Sequence, residues 1–402
     1  MLNGFISLDE YWSKNKLSVS QWIQVKLVVA IILLLKLVYR PIYRLKNGKY
    51  SPLQGLDADT NLEIQSRGSK RQEKDGEEYL SESEVRDFEK KGILPKFRVL
   101  STEEAHELAR YSYELHDREF DGQVVLGKDV VDALKESGQD NINYMGMFQS
   151  LHYQKLWDVL TRPQITQRLK SLLGDDLLCW RSQFFEKNPK DAGTFWHQAG
   201  TFRVSSEKPK LEPTEPMGEG IVQLTCWIAL KDATIENGCL RLLEGTHTDG
   251  RLEKIAYNII DNTLPFLMEQ SSKNIELLFK TMKFTSGSFL KAQLIYDIAM
   301  ELIPDLFKDA KVTDLELKAG EAIIFSSLNV HGSYPNVTDD TRLAFAGRFT
   351  SNNVKVYNGF TYDWFQTPKG PMKFDLDKIA CMQVAGEDKF GFNTIRSKAT
   401  DS

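Results

Sequence analysis

Two histidines of this chain stand in sequence contexts that are typical of metal ligands. His197 lies in the run TFWHQA at positions 194–199, and His331 follows the apolar run AIIF at 322–325. Two histidines and one carboxylate can hold Fe(II) on one face and leave the other positions open. In such sets the first histidine and the carboxylate usually form a short His-x-Asp or His-x-Glu motif. Here that carboxylate position holds Ala199. The sequence therefore predicts two metal ligands, His197 and His331, and a vacant third position.

A candidate anion-binding residue follows the second histidine. Arg342 stands in the run TRLAF at 341–345, which has the alternating pattern of a strand. A guanidinium in a fixed position can grip a carboxylate through two parallel hydrogen bonds. Arg342 is therefore a candidate for holding a cosubstrate that carries a carboxylate.

The elements that must position these residues are mostly strands. After Gly174 the apolar residues recur with a period of two, which predicts strands over 177–185, 221–230, 321–327 and 342–349. Before Gly174 the spacing is helical. It runs from a capping signal at Ser81 to a long pattern over 151–173, which Pro163 interrupts after Thr161 and Arg162. Many short strands favour a jelly-roll core, mainly β with flanking helices.

A further helical pattern interrupts the strands between residues 252 and 307. Ile259, Leu264 and Leu267 recur at helical spacing, as do Ile275 and Leu278. This insert has two interpretations, a cap over the mouth of the barrel that shapes the substrate pocket, or packing alone.

The first 50 residues differ from the rest of the chain. An apolar run at 27–35 is extended to Tyr39 and followed by basic residues at 40, 44, 46 and 49. A helix over 27–39 would rise roughly 20 Å, which is less than the roughly 30 Å of a bilayer core. Two interpretations remain: attachment to an anionic membrane surface, and packing on the catalytic domain or a partner. Residues 51–80 are polar and are predicted to be a linker.

Composition places few constraints on function. The chain has 402 residues and a net charge of −5, so no basic field indicates nucleic-acid binding. Four scattered cysteines form no disulfide framework and no CxxC zinc motif. We therefore predict a cytoplasmic protein with one catalytic domain over residues 81–395. Membrane association through residues 1–50 stays one of the two alternatives for that segment.

Together these pieces resemble the phytanoyl-CoA dioxygenase-like family of Fe(II)/2-oxoglutarate enzymes, over roughly residues 81–394. The runs that carry the resemblance occur in the family's order: VRDFEKKGIL at 85–94, QFFEKNP at 183–189, QLTCWIAL at 223–230, NGCL at 237–240 with EGTH at 244–247, and HGS at 331–333 with Arg342. The resemblance implies a double-stranded β-helix in which His197 and His331 bind Fe(II). It also implies a 2-oxoglutarate site formed by the following residues: Arg342 and Ser333 for the distal carboxylate, and Lys187, Trp227, Gln223 and Thr225 along the pocket.

The departure from the family pattern is Ala199. The same replacement marks the Fe(II)/2-oxoglutarate halogenases, whose motif this sequence resembles. That resemblance implies that chloride fills the vacant position beside the iron, and that O₂ and 2-oxoglutarate drive chlorination of an aliphatic carbon. Two alternatives remain, a hydroxylase that uses water or another carboxylate such as Glu186, and an inactive binding or scaffold protein.

The substrate and partners follow only in outline. The apolar N-terminus and the large insert favour a lipid-like or acyl substrate, either free, coenzyme-bound or tethered to a carrier protein. A membrane surface is a further expected partner, whereas nucleic acid is not.

Overall fold

The structure is a computed structural model, which describes most of the chain beyond its first 36 residues. The described residues are 37, 39–45, 47–56, 78–120, 127–136, 142–145, 153–199, 209–215, 217, 221–270, 287–367, 370–376 and 379–396. The predicted apolar run at 27–35 lies outside them.

Helices precede the sheets, as the sequence predicts. Their bounds are α1 (Arg40–Arg44), α2 (Glu82–Lys91), α3 (Thr102–Phe120), α4 (Lys128–Glu136), α5 (Ile142–Met145), α6 (Gln154–Leu160) and α7 (Pro163–Leu173). Helix α2 starts at a capping box, because Ser81 and Glu84 each bond the other's backbone N–H. It ends at Gly92, whose φ of 70° is the left-handed conformation of a helix C-terminus. The predicted break lies between α6 and α7, where Pro163 opens the second helix.

One large sheet contains all four predicted strands. In spatial order its strands are β1 (Phe97–Arg98), β8 (Glu321–Ser326), β5 (Leu224–Ala229), β10 (Arg342–Ser351), β2 (Leu177–Lys187), β14 (Cys381–Ala385) and β15 (Ile395–Arg396). All neighbours are antiparallel except β14 and β15. Helices α2, α3, α6 and α7 pack apolar residues such as Phe88, Leu156 and Leu169 into one core with this sheet.

A smaller sheet faces the large one and carries the candidate metal ligands. Its order is β3 (Thr194–His197), β9 (His331–Ser333), β6 (Leu240–Leu243) and β7 (Val312–Leu315), all antiparallel. Trp227 and Ala344 of the large sheet share a buried cluster with Leu242 and Leu315 of the small one. Two further antiparallel pairs occur among the described residues, β4 (Leu211–Pro213) with β11 (Val354–Val356), and β12 (Tyr362–Thr367) with β13 (Gly370–Asp375). This pair of facing sheets is the predicted double-stranded β-helix.

The helical insert is present and lies between β6 and β7. It comprises α8 (Arg251–Asn258), a π-helical turn (Ile259–Thr263), α9 (Leu264–Gln270), α10 (Gly287–Leu302) and α11 (Pro304–Phe307). Its apolar residues share one buried cluster with Tyr39 and Ile42 of the N-terminal segment. Tyr50 stacks on Phe266 at 4.2 Å between ring centroids. Residues 39–45 and 47–56 therefore pack against the insert. They lie before residue 81, where the sequence analysis places the start of the catalytic domain.

Two findings concern the predicted membrane association and the state of the cysteines. Among the described residues, no helix combines the length and the apolar character that crossing a bilayer requires. All four cysteines are buried and free in the structure.

Candidate functional site

The two predicted metal ligands lie side by side on adjacent strands of the small sheet. His197 and His331 are register partners, and Thr194 pairs with Ser333 at the other end of the same ladder. The ring centroids of the two histidines are 4.3 Å apart. Both side chains are surrounded by protein yet keep some accessible surface. The sheet thus brings two imidazoles to one accessible point inside the barrel.

Each imidazole is oriented by a backbone carbonyl. The Nδ1 atom of His197 lies 2.9 Å from the Phe195 carbonyl oxygen, and that of His331 lies 2.7 Å from the Asn329 carbonyl oxygen. Because a carbonyl only accepts, Nδ1 carries the proton in both rings and Nε2 keeps its lone pair for a metal. Burial lowers the pKa of both histidines, and the neighbouring His197 ring further disfavours the charged form of His331. Neutral imidazole is the form that binds metal.

A third ligand is missing where the sequence predicts a vacancy. Ala199 follows β3, and its N–H donates to the Ser327 carbonyl at 2.8 Å. Among the described residues, no Asp, Glu or Cys joins the two histidines in a group of three potential ligands. The alternative carboxylate, Glu186, accepts hydrogen bonds from Tyr113 at 2.7 Å and Asn188 at 3.2 Å. It also precedes the inward-facing Lys187 on β2, so it leaves the sheet on the opposite face.

The predicted carboxylate-binding residues gather at one end of the barrel. Lys187 and Arg342 are register partners on β2 and β10, and both are buried. The Lys187 ammonium donates to the Ser333 hydroxyl at 3.0 Å and to the Ala192 carbonyl at 2.6 Å. Burial and the neighbouring guanidinium lower the pKa of Lys187 to about 7, and burial lowers that of Arg342 to about 10. Two adjacent buried cations favour an anion between or beside them.

Two buried donors at this end fit a bound dicarboxylate. The Arg342 guanidinium lies over the Trp227 ring, 5.4 Å from its centroid. Arg342 Nε and Trp227 Nε1 are buried N–H groups that find no acceptor among the described residues. Buried donors normally have partners, so this pair indicates a ligand that supplies acceptor oxygens. The residues present therefore fit 2-oxoglutarate, with Lys187, Ser333, Arg342 and Trp227 around its carboxylate.

Gly238 also lines this carboxylate pocket, beside Lys187 and Arg342. Its φ is +93°, and a Cβ there would lie 2.4 Å from Lys187 Cδ and 2.8 Å from the Tyr334 carbonyl. Its own carbonyl accepts from Arg342 Nη2 at 3.2 Å. We expect Gly238→Ala to lower the free energy of unfolding by about 1–3 kcal/mol and to weaken 2-oxoglutarate binding by displacing Lys187. Thermal unfolding and a 2-oxoglutarate titration would measure both effects.

Gly391→Ala is the matched control for that substitution. Gly391 also has a positive φ, +66°, but no atom lies within 4 Å of the point that a Cβ would occupy. The control carries the backbone strain without the collision. Equal losses in the two variants would contradict a specific role for the space beside Lys187.

The structure places Gln223 and Thr225 differently from the other pocket candidates. Gln223 Nε2 donates to the Ser327 hydroxyl at 2.6 Å, and Thr225 Oγ1 lies 2.9 Å from the same oxygen. Both therefore lie beside the Ala199 segment, and neither bonds to Lys187 or Arg342. Their assignment to the 2-oxoglutarate pocket stays a prediction.

Sequence reasoning missed Arg348 on β10. Its charge disfavours the protonated forms of both His197 and His331, and its Nη1 donates to Gln183 Oε1 at 3.4 Å. Burial and the cross-strand neighbour Arg181 lower the pKa of Arg348 to about 9. The signal was available, because Arg348 is an even number of residues from Arg342 and strand alternation puts both on the inner face.

The insert contributes directly to the site through α10. The Tyr296 ring lies edge-on to His197, with 6.4 Å between centroids, and its hydroxyl donates to the Gln198 carbonyl at 3.3 Å. The buried Gln198 amide in turn donates to the Leu328 and Asp249 carbonyls, at 2.7 and 3.0 Å. The insert therefore packs directly against the strand end that carries His197, and its role as a cap over the site stays a prediction.

His247 ends the EGTH run and is a buried residue that packs against the end of α2. Its ring lies 6.2 Å from that of Phe88, in contact with the end of α2. Burial lowers the pKa of His247 from 6.5 to about 4, which the nearby Asn329 amide and Glu89 backbone only partly offset. The folded protein therefore keeps this ring neutral at pH values where the unfolded chain takes up a proton.

A pH dependence of stability follows from His247. Above pH 6.5 the ring is neutral in both states and contributes no dependence. Between pH 6.5 and 4 only the unfolded state binds the proton, so stability falls by up to about 1.4 kcal/mol per pH unit. We expect the difference in unfolding free energy between wild type and His247→Asn to shrink from pH 7 to pH 5. Exposed His106→Asn is the control, and parallel curves for wild type and His247→Asn would contradict the prediction.

The fold and the site together define a class of protein. A double-stranded β-helix with paired histidines and a buried Arg–Lys carboxylate pocket is a non-haem Fe(II)/2-oxoglutarate-dependent oxygenase. Among solved structures, the chain is similar to "CytC3 with Fe(II) and alpha-ketoglutarate", at 25% identity and a TM-score of 0.52. That match covers 81% of this chain and 96% of the other.

The family follows from sequence comparison. The family model for phytanoyl-CoA dioxygenase (PhyH) matches residues 88–344, more than half of the chain, which therefore belongs to the PhyH family. A relative from Dictyostelium discoideum, the phytanoyl-CoA dioxygenase domain-containing protein 1 homolog, is 26% identical over 266 residues, 65% of this chain and 73% of the relative. Phytanoyl-CoA dioxygenase domain-containing protein 1 from Mus musculus is 30% identical over 113 residues, 28% of this chain and 35% of the mouse protein.

Proposed function

We propose that this chain is an Fe(II)/2-oxoglutarate-dependent halogenase that replaces a hydrogen of an aliphatic carbon by chlorine. In this proposal His197 and His331 hold the iron, and chloride takes the position that Ala199 leaves open. The observation that carries it is the pair of oriented, neutral imidazoles with no carboxylate completing the set among the described residues. A methyl side chain removes both a ligand and a negative charge, and a halide can supply both.

The remaining residues of the site have separate roles in this proposal. Arg342, Lys187, Ser333 and Trp227 hold 2-oxoglutarate by its distal carboxylate, through donors that are fixed before binding. When bound, iron supplies the activation of O₂ by 2-oxoglutarate. Arg348 is half-buried on β10, and its charge disfavours the protonated forms of both histidines. Such a cation makes the vacant position favourable for an anion. A halide there would thus be attracted from the protein side as well as by the metal.

The overall reaction balances with the proposed cosubstrates. One C–H, one chloride, one proton, one O₂ and one 2-oxoglutarate give one C–Cl, succinate, CO₂ and water. The four electrons that reduce O₂ come in equal parts from 2-oxoglutarate and from the substrate and chloride. No further reductant is needed.

The surroundings of the histidines support an aliphatic substrate. Phe195 lies 5.4 Å from His197 and Phe325 lies 5.3 Å from His331, between ring centroids, and Tyr296 covers the same side. Such a lining favours an apolar reacting carbon. We propose a lipid-like or acyl substrate, either free, coenzyme-bound or tethered to a carrier protein.

Membrane attachment through the N-terminal segment is part of the proposal. Ile42 and Tyr39 are buried against the insert, and Asn258 bonds the Pro52 and Gln54 carbonyls. A test of attachment should therefore delete residues 1–36 and leave these contacts intact. The truncated chain is expected to leave the membrane fraction, and full-length chain that never sediments with membranes would contradict attachment.

Product analysis tests the activity. Protein loaded with Fe(II) without oxygen is mixed with 2-oxoglutarate, O₂ and a panel of acyl and lipid substrates, with and without chloride. A product with the chlorine isotope pattern that appears only with chloride would support the halogenase. A hydroxylated product that ignores chloride would make the protein a hydroxylase. A wild type that binds iron but turns over no more 2-oxoglutarate than the His331→Ala variant would favour an inactive binding protein.

A further inference from the structure

We infer that Gln223 is a positioning residue that fixes the backbone of Ala199 and so keeps the vacated metal position open to a halide. This inference rests on the proposed halogenase function and names the residue on which its halide site depends. Gln223 lies just before β5 on the large sheet, and Ala199 lies just after β3 on the small one. The contact therefore links the two sheets at the candidate site.

The orientation of the Gln223 amide is determined by Trp180. The indole Nε1–H donates to Gln223 Oε1 at 3.0 Å. Because an indole N–H only donates, the oxygen of the amide must face it and the NH₂ group must face away. The NH₂ group then donates to the Ala199 carbonyl at 3.1 Å and to the Ser327 hydroxyl at 2.6 Å. A flipped amide would set its NH₂ group against the indole N–H and its oxygen against the Ala199 carbonyl.

Ser327 bonds the backbone of Ala199 on the side opposite to Gln223. The Ser327 carbonyl accepts from the Ala199 N–H at 2.8 Å, and the Ser327 N–H donates to the Gln223 carbonyl at 3.3 Å. Thr225 Oγ1, at 2.9 Å from the Ser327 hydroxyl, completes the group. Both backbone polar groups of Ala199 are thus bonded, one to Gln223 and one to Ser327.

Three side chains of this group are almost completely buried, and Ala199 itself is partly buried. Gln223, Ser327 and Trp180 are 3%, 2% and 0% exposed. A buried polar atom that loses its partner has no water to replace it and carries the full desolvation penalty. Loss of the amide would therefore move the Ala199 segment instead of leaving it in place with broken bonds.

The need for such a device follows from the missing carboxylate. In a two-histidine, one-carboxylate site the bond from the carboxylate to the metal itself anchors the segment that carries it. Alanine makes no such bond. The opening beside the metal would then depend on where the backbone of residue 199 is held, and among the described residues Gln223 and Ser327 bond its carbonyl and its N–H. Gln223 is the member whose side chain can be changed without altering the Ser327 backbone bond.

Chloride titration of the loaded protein tests this role. We expect full-length protein with Fe(II) and 2-oxoglutarate under anaerobic conditions to show a charge-transfer absorption band, and chloride binding at the iron to shift that band. The variants are Gln223→Leu, which keeps the shape and removes the amide, and Trp180→Phe, which removes the donor that orients it. Gln383→Leu is the matched control, because Gln383 bonds the Leu177 and Ala385 carbonyls at the edge of the same sheet.

The expected result is a loss of chloride affinity without a loss of 2-oxoglutarate affinity. Gln223→Leu should raise the chloride midpoint about tenfold, Trp180→Phe less, and Gln383→Leu not at all. Because Gln223 bonds Ala199 and Ser327, the 2-oxoglutarate midpoint should stay within about twofold throughout. The same titration therefore tests the predicted place of Gln223 in the 2-oxoglutarate pocket. An unchanged chloride midpoint in Gln223→Leu, or an equal rise in both midpoints, would overturn the inference. If that variant does not fold, an unchanged midpoint in Trp180→Phe would overturn it. A wild type whose band ignores chloride would instead overturn the proposed function.

Discussion

Ala199→Asp is expected to abolish chloride binding and chlorination. The new carboxylate occupies the vacant metal position and adds a negative charge there. Two like charges 4 Å apart at a partly buried site repel by about 4 kcal/mol, which is roughly a thousandfold in affinity. The variant should either hydroxylate the substrate or become inactive. Chloride titration of the charge-transfer band and mass spectrometry of the products measure the two effects.

Ala199→Gly is the control for the carboxylate. It keeps the backbone bonds of residue 199 to Ser327 and Gln223 and enlarges the opening by one methyl group. Chloride binding should be largely preserved in this variant. Chlorination that survives or improves in Ala199→Asp would contradict the vacancy model, whatever the glycine variant does.

Arg342→Gln is expected to have the second large effect, on 2-oxoglutarate. Arg342 is 3% exposed, and its Nη1 and Nη2 are held by the Phe185 and Gly238 carbonyls. Removing one partner of a buried charge pair costs about 2–5 kcal/mol, which is roughly 30- to several-thousand-fold in Kd. The Kd for 2-oxoglutarate, measured anaerobically with Fe(II) by absorption or calorimetry, should rise by that factor.

Arg98→Gln provides the comparison. Arg98 on β1 also donates to two backbone carbonyls, those of Leu100 and Ala319, at the far edge of the same sheet. The Arg98→Gln variant should bind 2-oxoglutarate as wild type does. Arg342→Lys should recover part of the affinity, because it restores the charge without the planar fork. Full affinity in Arg342→Gln would remove Arg342 from the cosubstrate site.

The long elements were predictable because their periodicity extends over several residues. The strands that contain Leu177–Phe185 and Arg342–Phe349 alternate over enough positions to identify an inner face, and the Ser81 capping signal locates the start of α2. The strands that carry the candidate metal ligands, β3 and β9, have only four and three residues. A pattern that short carries no period, so their pairing had to come from motif context.

The contacts that complete the site were not predictable, because they join residues distant in sequence. Tyr296 reaches Gln198 across 98 positions, and Gln223 reaches Ser327 across 104. Nothing local in the sequence distinguishes either residue from an ordinary helix or strand position. The same applies to Ile42, whose complete burial depends on an insert more than 200 residues away. Long-range packing decides such positions, and propensity does not register it.

The carbonyl that orients each histidine belongs to the residue two positions earlier in the same chain segment, Phe195 for His197 and Asn329 for His331. Each ligand is therefore aimed by its own strand end, without help from the other histidine or from a third ligand. A substitution at residue 199 changes what the iron can coordinate but leaves the direction of both imidazoles intact. The donor set is modular in this sense, and one fold can exchange a carboxylate for an open position in a single step without rebuilding the rest of the centre.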